Sequence, residues 1–237
     1  MTEAARRNPL GNYRFLGREG RPFSDGVVAD QGYDLVHARF ESPAPLDAGL
    51  AAAVRHVTAA GRPVQAIAGF ELRIPEPFTP QDFAAFNEGY VASLRSVGVE
   101  VDGLIPTART NVAPLAGHVT EPSLHALSYT VPGRRTAEAF VMSGVPEDET
   151  ADYAAMMDSI MRALSGRMKE IGAAWRDATE IQFYGEEGPR DLLVEKVIAH
   201  AGRAAAGGIH WFPSRPPIVG LNFELDVRSA GMEVVVA

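Results

Sequence analysis

Pro106-Thr107-Ala108-Arg109-Thr110-Asn111-Val112 and Pro213-Ser214-Arg215 are two stretches in which an arginine follows a proline-containing turn and stands at the entrance to a strand. Upstream of the first, residues 33–40 read as a strand, and 45–60 as an alanine-rich helix stopped at Gly61. Residues 64–74 are apolar and partly β-branched, which suits a strand. Thr79-Pro80-Gln81-Asp82 is a helix start, with Thr79 as N-cap and proline at the first helical position. Phe83, Phe86, Tyr90 and Leu94 then give that helix one apolar face as far as Gly98. Residues 123–131 alternate as a strand. Upstream of Arg215, residues 137–145 read as a strand and 148–171 as a long helix ending at Gly172. A strand over 179–184 and a helix over 189–201 ending at Gly202 precede it, and a strand over 218–227 follows.

The same order therefore occurs twice: strand, helix, glycine, strand, helix, proline–arginine turn, strand. It predicts an α+β chain of two tandem domains, 1–132 and 133–237, each a mixed sheet with two helices on one face. A single α/β domain with a parallel sheet is the rival. It lacks a Gly-rich phosphate loop between a strand and a helix, since Gly207-Gly208 precedes a strand. The 237 residues accommodate either arrangement, and 46% hydrophobic content is enough for a packed core.

Composition excludes several chemistries. Cysteine is absent, so disulfides, thiolate zinc sites and cysteine nucleophiles are excluded together. A formal charge of −8 repels phosphate backbones and argues against a nucleic-acid partner. No apolar run approaches the roughly 18 residues of a membrane span. Met1-Thr2-Glu3-Ala4-Ala5-Arg6-Arg7 leads into no signal-peptide core, so a cytoplasmic protein is expected. Only Lys169 and Lys196 could form an imine with substrate, and both fall on amphipathic helical segments whose ordinary fate is a solvated face. Met157, Met161 and Met168 recur at helical spacing and read as core filler.

His37, His56, His118, His125, His200 and His210 show no paired ligand spacing, so no metal is expected. Ser143-Gly144 lacks the flanks of a nucleophile elbow. Arg109 and Arg215 remain. A guanidinium offers a planar fork that matches a carboxylate with two parallel hydrogen bonds, although a structural ion pair is the plainer use.

Several segments resemble the YjgF/RidA family of reactive imine/enamine deaminases, whose fold is chorismate-mutase-like. Pro22-Phe23-Ser24-Asp25-Gly26-Val27-Val28 resembles the family's Gly-Pro-Tyr-Ser-x-Ala-Val opening segment, and Asp82-Phe83-Ala84-Ala85-Phe86-Asn87-Glu88-Gly89-Tyr90 its second helix. Residues 106–112 resemble its Pro-x-Arg-x-x-Val motif, whose arginine grips the substrate carboxylate. In the second half, Phe140-Val141-Met142-Ser143-Gly144-Val145-Pro146, Pro213-Ser214-Arg215 and Phe223-Glu224-Leu225-Asp226-Val227 resemble its later motifs. Three features depart from the pattern. Phe23 replaces a tyrosine, Ser123-Leu124-His125 stands where a glutamate is expected, and the second half has no clear opening segment. The chain is also similar to the two-domain 2-amino-5-chloromuconate deaminases, through Ala68-Gly69-Phe70-Glu71-Leu72-Arg73, residues 108–114 and Glu121-Pro122-Ser123-Leu124-His125-Ala126.

The resemblance implies cofactor-free hydrolysis of an enamine/imine dicarboxylate of the 2-aminomuconate type, in aromatic and nitroaromatic degradation. Arg109 would bind one carboxylate, and Asn111, two residues along the strand, would share its side. Glu224 or His125 would be the general base and later acid, and Arg215 would take the second carboxylate. Phe23 and Ser24 of the opening segment would contact substrate. Family sites lie between subunits of a trimeric ring, so a homotrimer is expected. A general scavenger of reactive enamines and a non-catalytic small-acid-binding protein are the alternatives.

Overall fold

The computed structural model describes residues 5–18, 20–117, 119–146, 152–186 and 190–236. Within these limits the chain is α+β, one twelve-stranded mixed sheet with four α-helices. Its strands are β1 (Arg6–Asn8), β2 (Tyr13–Gly17), β3 (Ser24–Ala29), β4 (Tyr33–Pro45), β5 (Ile67–Arg73), β6 (Ala108–Pro114), β7 (Ser123–Pro132), β8 (Phe140–Gly144), β9 (Glu180–Gly185), β10 (His210–Arg215), β11 (Phe223–Ser229) and β12 (Met232–Val236). The helices are α1 (Leu46–Ala59), α2 (Pro80–Ser96), α3 (Tyr153–Ile171) and α4 (Arg190–Ala201).

Local signals start and stop these helices as expected. Thr79 caps α2 by accepting the Asp82 N–H at 3.2 Å, and Asp152 caps α3 by accepting that of Ala155 at 2.8 Å. Gly172 ends α3 in the left-handed conformation, φ 83°. The expected helix starts at Asp148 and Pro189 lie outside the described residues, as do Met1 to Ala4 and His118. Arg109 enters a strand as expected, whereas Arg215 ends one and Pro213-Ser214 belongs to that strand and not to a turn.

The order β4-α1-β5-α2-β6-β7 recurs as β8-α3-β9-α4-β10-β11. Pairing repeats too: β5 runs parallel to β6 and antiparallel to β7, and β9 runs parallel to β10 and antiparallel to β11. The chain ends cross over. The β3 strand pairs with β8, so residues 6–29 extend the sheet built by the second half. The β12 strand pairs with β4 and extends the first. The two portions join where Ser214 and Arg215 of β10 meet Pro114 and Ala113 of β6.

Three apolar clusters result. Leu50, Ala53 and Val57 of α1, with Tyr90, Val91 and Leu94 of α2, cover Phe70, Leu72, Leu124 and Leu127. The methionine stripe of α3 is core, as its spacing predicts: Met157, Met161 and Met168 are buried on Phe183, Phe223 and Leu225. Between the sheet portions, Tyr13, Phe15, Val27, Ala68, Ala108 and Val141 form the third cluster.

Beside that third cluster lies a charged one. Arg228 is 1% exposed and is the hub. Its guanidinium lies 2.8 Å from Glu71 of β5, 3.3 Å from Asp226 and 3.4 Å from Glu180 of β9, and it donates to Gln182 at 2.6 Å. Burial opposes the charge on His37, but Glu71 and Glu233 outweigh it and raise its pKa to about 9. His37 joins Glu71 at 2.8 Å to Glu233 of β12 at 2.5 Å. His37, Glu180 and Glu233 thus bring ligand-type atoms within 4.8 Å of one another, although no spacing along the chain suggests it. Arg228 sits on Glu180 from the same cluster.

Removing the hub strands the buried Glu71 and Asp226 and the half-buried Glu180, and breaking such a cluster by deleting one partner costs about 3–5 kcal/mol. Arg228→Leu is expected to lower the unfolding free energy by that order in urea titrations at neutral pH. An unchanged midpoint would show that the cluster does not hold the two portions together.

Candidate active site

One cavity of about 910 Å³ opens between the two sheet portions. Its volume lies in the range of small-molecule sites. Phe23 and Ser24, from the start of β3, line one side. Arg109 and Asn111 of β6 line another, with Phe83 and Asn87 of α2 beside them. Ser143 and Gly144 of β8, Arg167 of α3 and Glu224 of β11 close it from the second half. Five of the seven residues expected at a site therefore meet: Phe23, Ser24, Arg109, Asn111 and Glu224.

Arg109 is held from several sides. Its guanidinium carbon stands 4.0 Å from the centroid of the Phe23 ring and 5.3 Å from that of Phe83. It also donates to the Asn87 side-chain oxygen. The phenylalanine that replaces tyrosine in the opening segment thus supplies a π face to the cation. Burial lowers the Arg109 pKa, while Tyr90 and Glu224 raise it. An arginine keeps its proton regardless. Its backbone oxygen accepts the Ser143 hydroxyl at 2.6 Å, and Arg167 donates to the Ser143 carbonyl at 2.8 Å. Gly144 permits this approach, since a Cβ there would stand 2.8 Å from the Arg167 Nη1. The Ser24 hydroxyl is committed to Gly26, donating to its carbonyl at 2.7 Å. Asn111 is 2% exposed, and among the described residues neither atom of its amide has a partner. An unmet buried amide is costly, and at a cavity wall it offers one donor and one acceptor to a ligand.

Glu224 is 5% exposed. Burial and the neighbouring Asp226 hold its carboxyl well above the usual range, against the pull of Arg109. Asp226 is itself raised to about 6 by burial, opposed by Arg228, so it is ionised at neutral pH and repels charge on Glu224. It accepts the Thr110 hydroxyl at 3.1 Å. Both influences favour the protonated form of Glu224, so the cavity sets an acid against an arginine.

Two expected residues stand elsewhere. Arg215 lies outside this cavity, exposed and 3.1 Å from Glu186. Strand register explains why. Phe70 of β5 and Phe183 of β9 each oppose a leucine of the antiparallel neighbour, Leu127 and Leu225. On the parallel neighbour Phe70 is matched by Arg109 but Phe183 by Trp211. Trp211 thus occupies the place of Arg109, and Arg215 is four residues beyond it. The alignment of the two arginines is corrected accordingly. His125 lies in a second cavity with Arg73. Of the residues sequence reasoning missed, Asn87 falls inside the second-helix segment already singled out. Arg167 is one of many helix arginines, and nothing in the sequence marks it.

Fold and cavity define an α+β protein with an arginine and a buried acid facing each other between two repeated halves. A family described as "2-aminomuconate deaminase CnbZ" matches residues 5–234. The chain is 35% identical to the 2-amino-5-chloromuconate deaminase of Comamonas testosteroni, over 95% of this chain and 96% of that one. It belongs to the 2-aminomuconate deaminase family. Among solved structures, a chorismatase superposes with a TM-score of 0.50 at 12% identity, over 90% of this chain and 78% of that one. A Mycobacterium tuberculosis member of the YjgF/YER057c/UK114 family gives 0.32 at 18% identity, over 40% and 81%.

The raised carboxyl makes a signed prediction. In the fold Glu224 prefers its proton, whereas unfolded it ionises near pH 4.3. The cost of burying it therefore appears only as pH rises above that value. Glu224→Gln is expected to raise Tm at pH 8, by roughly 2–4 °C for each kcal/mol relieved, and to change it little at pH 4. Equal shifts at both pH values would show that Glu224 does not carry a raised pKa.

Proposed function

We propose that the chain is a deaminase that hydrolyses the enamine/imine of a 2-aminomuconate-type dicarboxylate, 2-amino-5-chloromuconate among them, to the keto acid and ammonia. The observation that carries this reading is the cavity in which Arg109 and Asn111 of the first half meet Glu224 of the second, whose carboxyl is held well above the usual range. Family membership supports the substrate class.

Arg109 grips the carboxylate next to the amino-bearing carbon in a bidentate pair. This fixes the reacting carbon in the cavity. Glu224 gives its proton to a carbon of the conjugated enamine, and the C=C–N system becomes an iminium. The new Glu224 carboxylate is stabilised by Arg109. It takes a proton from water as the water oxygen bonds to the iminium carbon. Glu224 passes that proton to the carbinolamine nitrogen, the C–N bond breaks and ammonia leaves, and the hydroxyl proton returns to Glu224 as the C=O forms. One water enters and one ammonia leaves. Asn111 can hydrogen-bond the amino group or the attacking water. Arg21, Arg95 and Arg167, which line the same cavity, supply positive charge for the distal carboxylate, the role first given to Arg215. His125, in the other cavity, takes no part in this scheme.

We also read the two halves, 1–132 and 133–237, as tandem YjgF/RidA-like units that exchange terminal strands and assemble as a cytoplasmic homotrimer. Repeated element order supports the first statement, and the open sheet edges at β1 and β12 leave room for the second. No helix among the described residues is long and apolar enough to cross a membrane.

Two measurements test the proposal. With 2-aminomuconate made in situ from the aminophenol by a ring-cleaving dioxygenase followed by an NAD-dependent aldehyde dehydrogenase, the dienamine absorbance should fall as ammonia appears. Arg109→Ala should lower kcat/KM by roughly 100-fold, the worth of a charged hydrogen-bonded pair. Glu224→Gln should lower kcat by about 10²–10⁴. In the wild type, activity should fall as pH rises through the raised Glu224 pKa, and Asp226→Asn should move that limb to lower pH. Ammonia release indifferent to both Arg109 and Glu224 would contradict the assignment. Light scattering should give three times 25.4 kDa, and a mass of 25.4 kDa would refute the trimer.

A further inference from the structure

The second cavity, of about 630 Å³, lies where β7 approaches β10, as the first lies where β11 approaches β6. Its wall carries Arg73, His125 and Ser123, with Val112, Pro114 and Phe212 as apolar surface. The two cavities differ in their chemistry. In β11, Phe223 opposes Gly185 and Glu224 opposes Tyr184 with no irregularity. In β7, Leu124 opposes Leu72 and Ala126 opposes Glu71, and His125 is an extra residue between them. Such a bulge re-aims a side chain, and bulges gather beside binding sites. His125 is aimed into the cavity with its Nδ1 buried and without a hydrogen-bond partner.

Arg73 supplies the charge. Its side chain is 7% exposed. One terminal nitrogen donates to the Leu72 carbonyl at 3.0 Å, and the other stands 3.4 Å from Glu71. Glu71 is closer to Arg228 and His37, both at 2.8 Å. Burial first, and then Arg73, push the His125 pKa down to about 4. The ring is therefore neutral at physiological pH, with one nitrogen to donate and one to accept.

We propose that this cavity binds a small organic monocarboxylate, held by Arg73 and His125 against the apolar wall and released unchanged. Among the described residues, Arg73 is the one arginine or lysine that lines it, and one such cation matches one carboxylate. Val112, Pro114 and Phe212 need a carbon chain to cover them, which an inorganic anion lacks. In β7 Ala126 takes the place that Glu224 has in β11, and Glu121, which also lines this cavity, precedes the strand. The site is independent of the reaction in the first cavity.

Sorbate, a six-carbon monocarboxylate, is the probe. Titrated into the ¹⁵N-labelled full chain, it should shift the His125 imidazole signals saturably, with assignment taken from a His125→Gln spectrum. Arg73→Gln should weaken the binding roughly tenfold or more, since a charge-assisted hydrogen bond is lost. Phe212→Glu should weaken it as well, by placing a carboxylate on the wall. This variant serves if Arg73→Gln does not fold, because Phe212 is 37% exposed. The proposal is overturned if sorbate leaves His125 unmoved, if the folded variants bind it as the wild type does, or if phosphate shifts His125 equally.

Discussion

A single guanidinium, that of Arg228, ties together carboxylates from both halves of the chain. Glu71 comes from the first half, and Asp226 and Glu180 from the second. Cationic Arg228 keeps Asp226 ionised at neutral pH although burial raises its pKa to about 6. Burial, and then that charge, raise the pKa of Glu224 two residues away along β11. The ion cluster therefore does more than join two portions of sheet. Through Asp226 it adds to the burial that raises the pKa of Glu224, an acid in the cavity of Arg109. Through His37 and Glu233 it also reaches β12, the strand that completes the first half from the far end of the chain.

The exchange of terminal strands explains why the cavities lie between the halves. The opening segment, β3, is encoded in the first half but pairs with β8. Phe23 is thereby placed against Arg109 while its strand belongs to the opposite portion of the sheet. The apparent lack of an opening segment in the second half is filled in this way. Duplicated halves give two comparable clefts, and a few substitutions separate them. Trp211 stands where Arg109 would be, and a bulged His125 replaces a straight run through Glu224.

Much of this was legible in the chain. Thr79-Pro80 and Gly172 mark helix ends because caps act locally, and the α3 methionines announce a core by their spacing. The repeated element order is equally visible. Arg109, Asn111 and Glu224 stand out through resemblance to family motifs, and the fold brings them together. Arg215 shows the limit of motif matching. A proline–arginine pair can slip four residues along a strand, and only pairing register reveals it. The partners of Arg228, the reach of Arg167 across β8 and the meeting of His37 with Glu233 depend on contacts far apart in sequence. No local pattern carries them. Strands β1, β2 and β12 stayed hidden for the same reason, since they are short and defined by what they pair with.

The central claim is that Arg109 and Glu224 face one substrate across the first cavity. The most direct test is a crystal structure with muconate, which has both carboxylates of the proposed substrate but no amino group. The account predicts one carboxylate paired with the Arg109 guanidinium, and the adjoining carbon beside the Glu224 carboxyl and the Asn111 amide. Muconate bound away from Arg109, or bound to it with Glu224 out of reach of the chain, would contradict it.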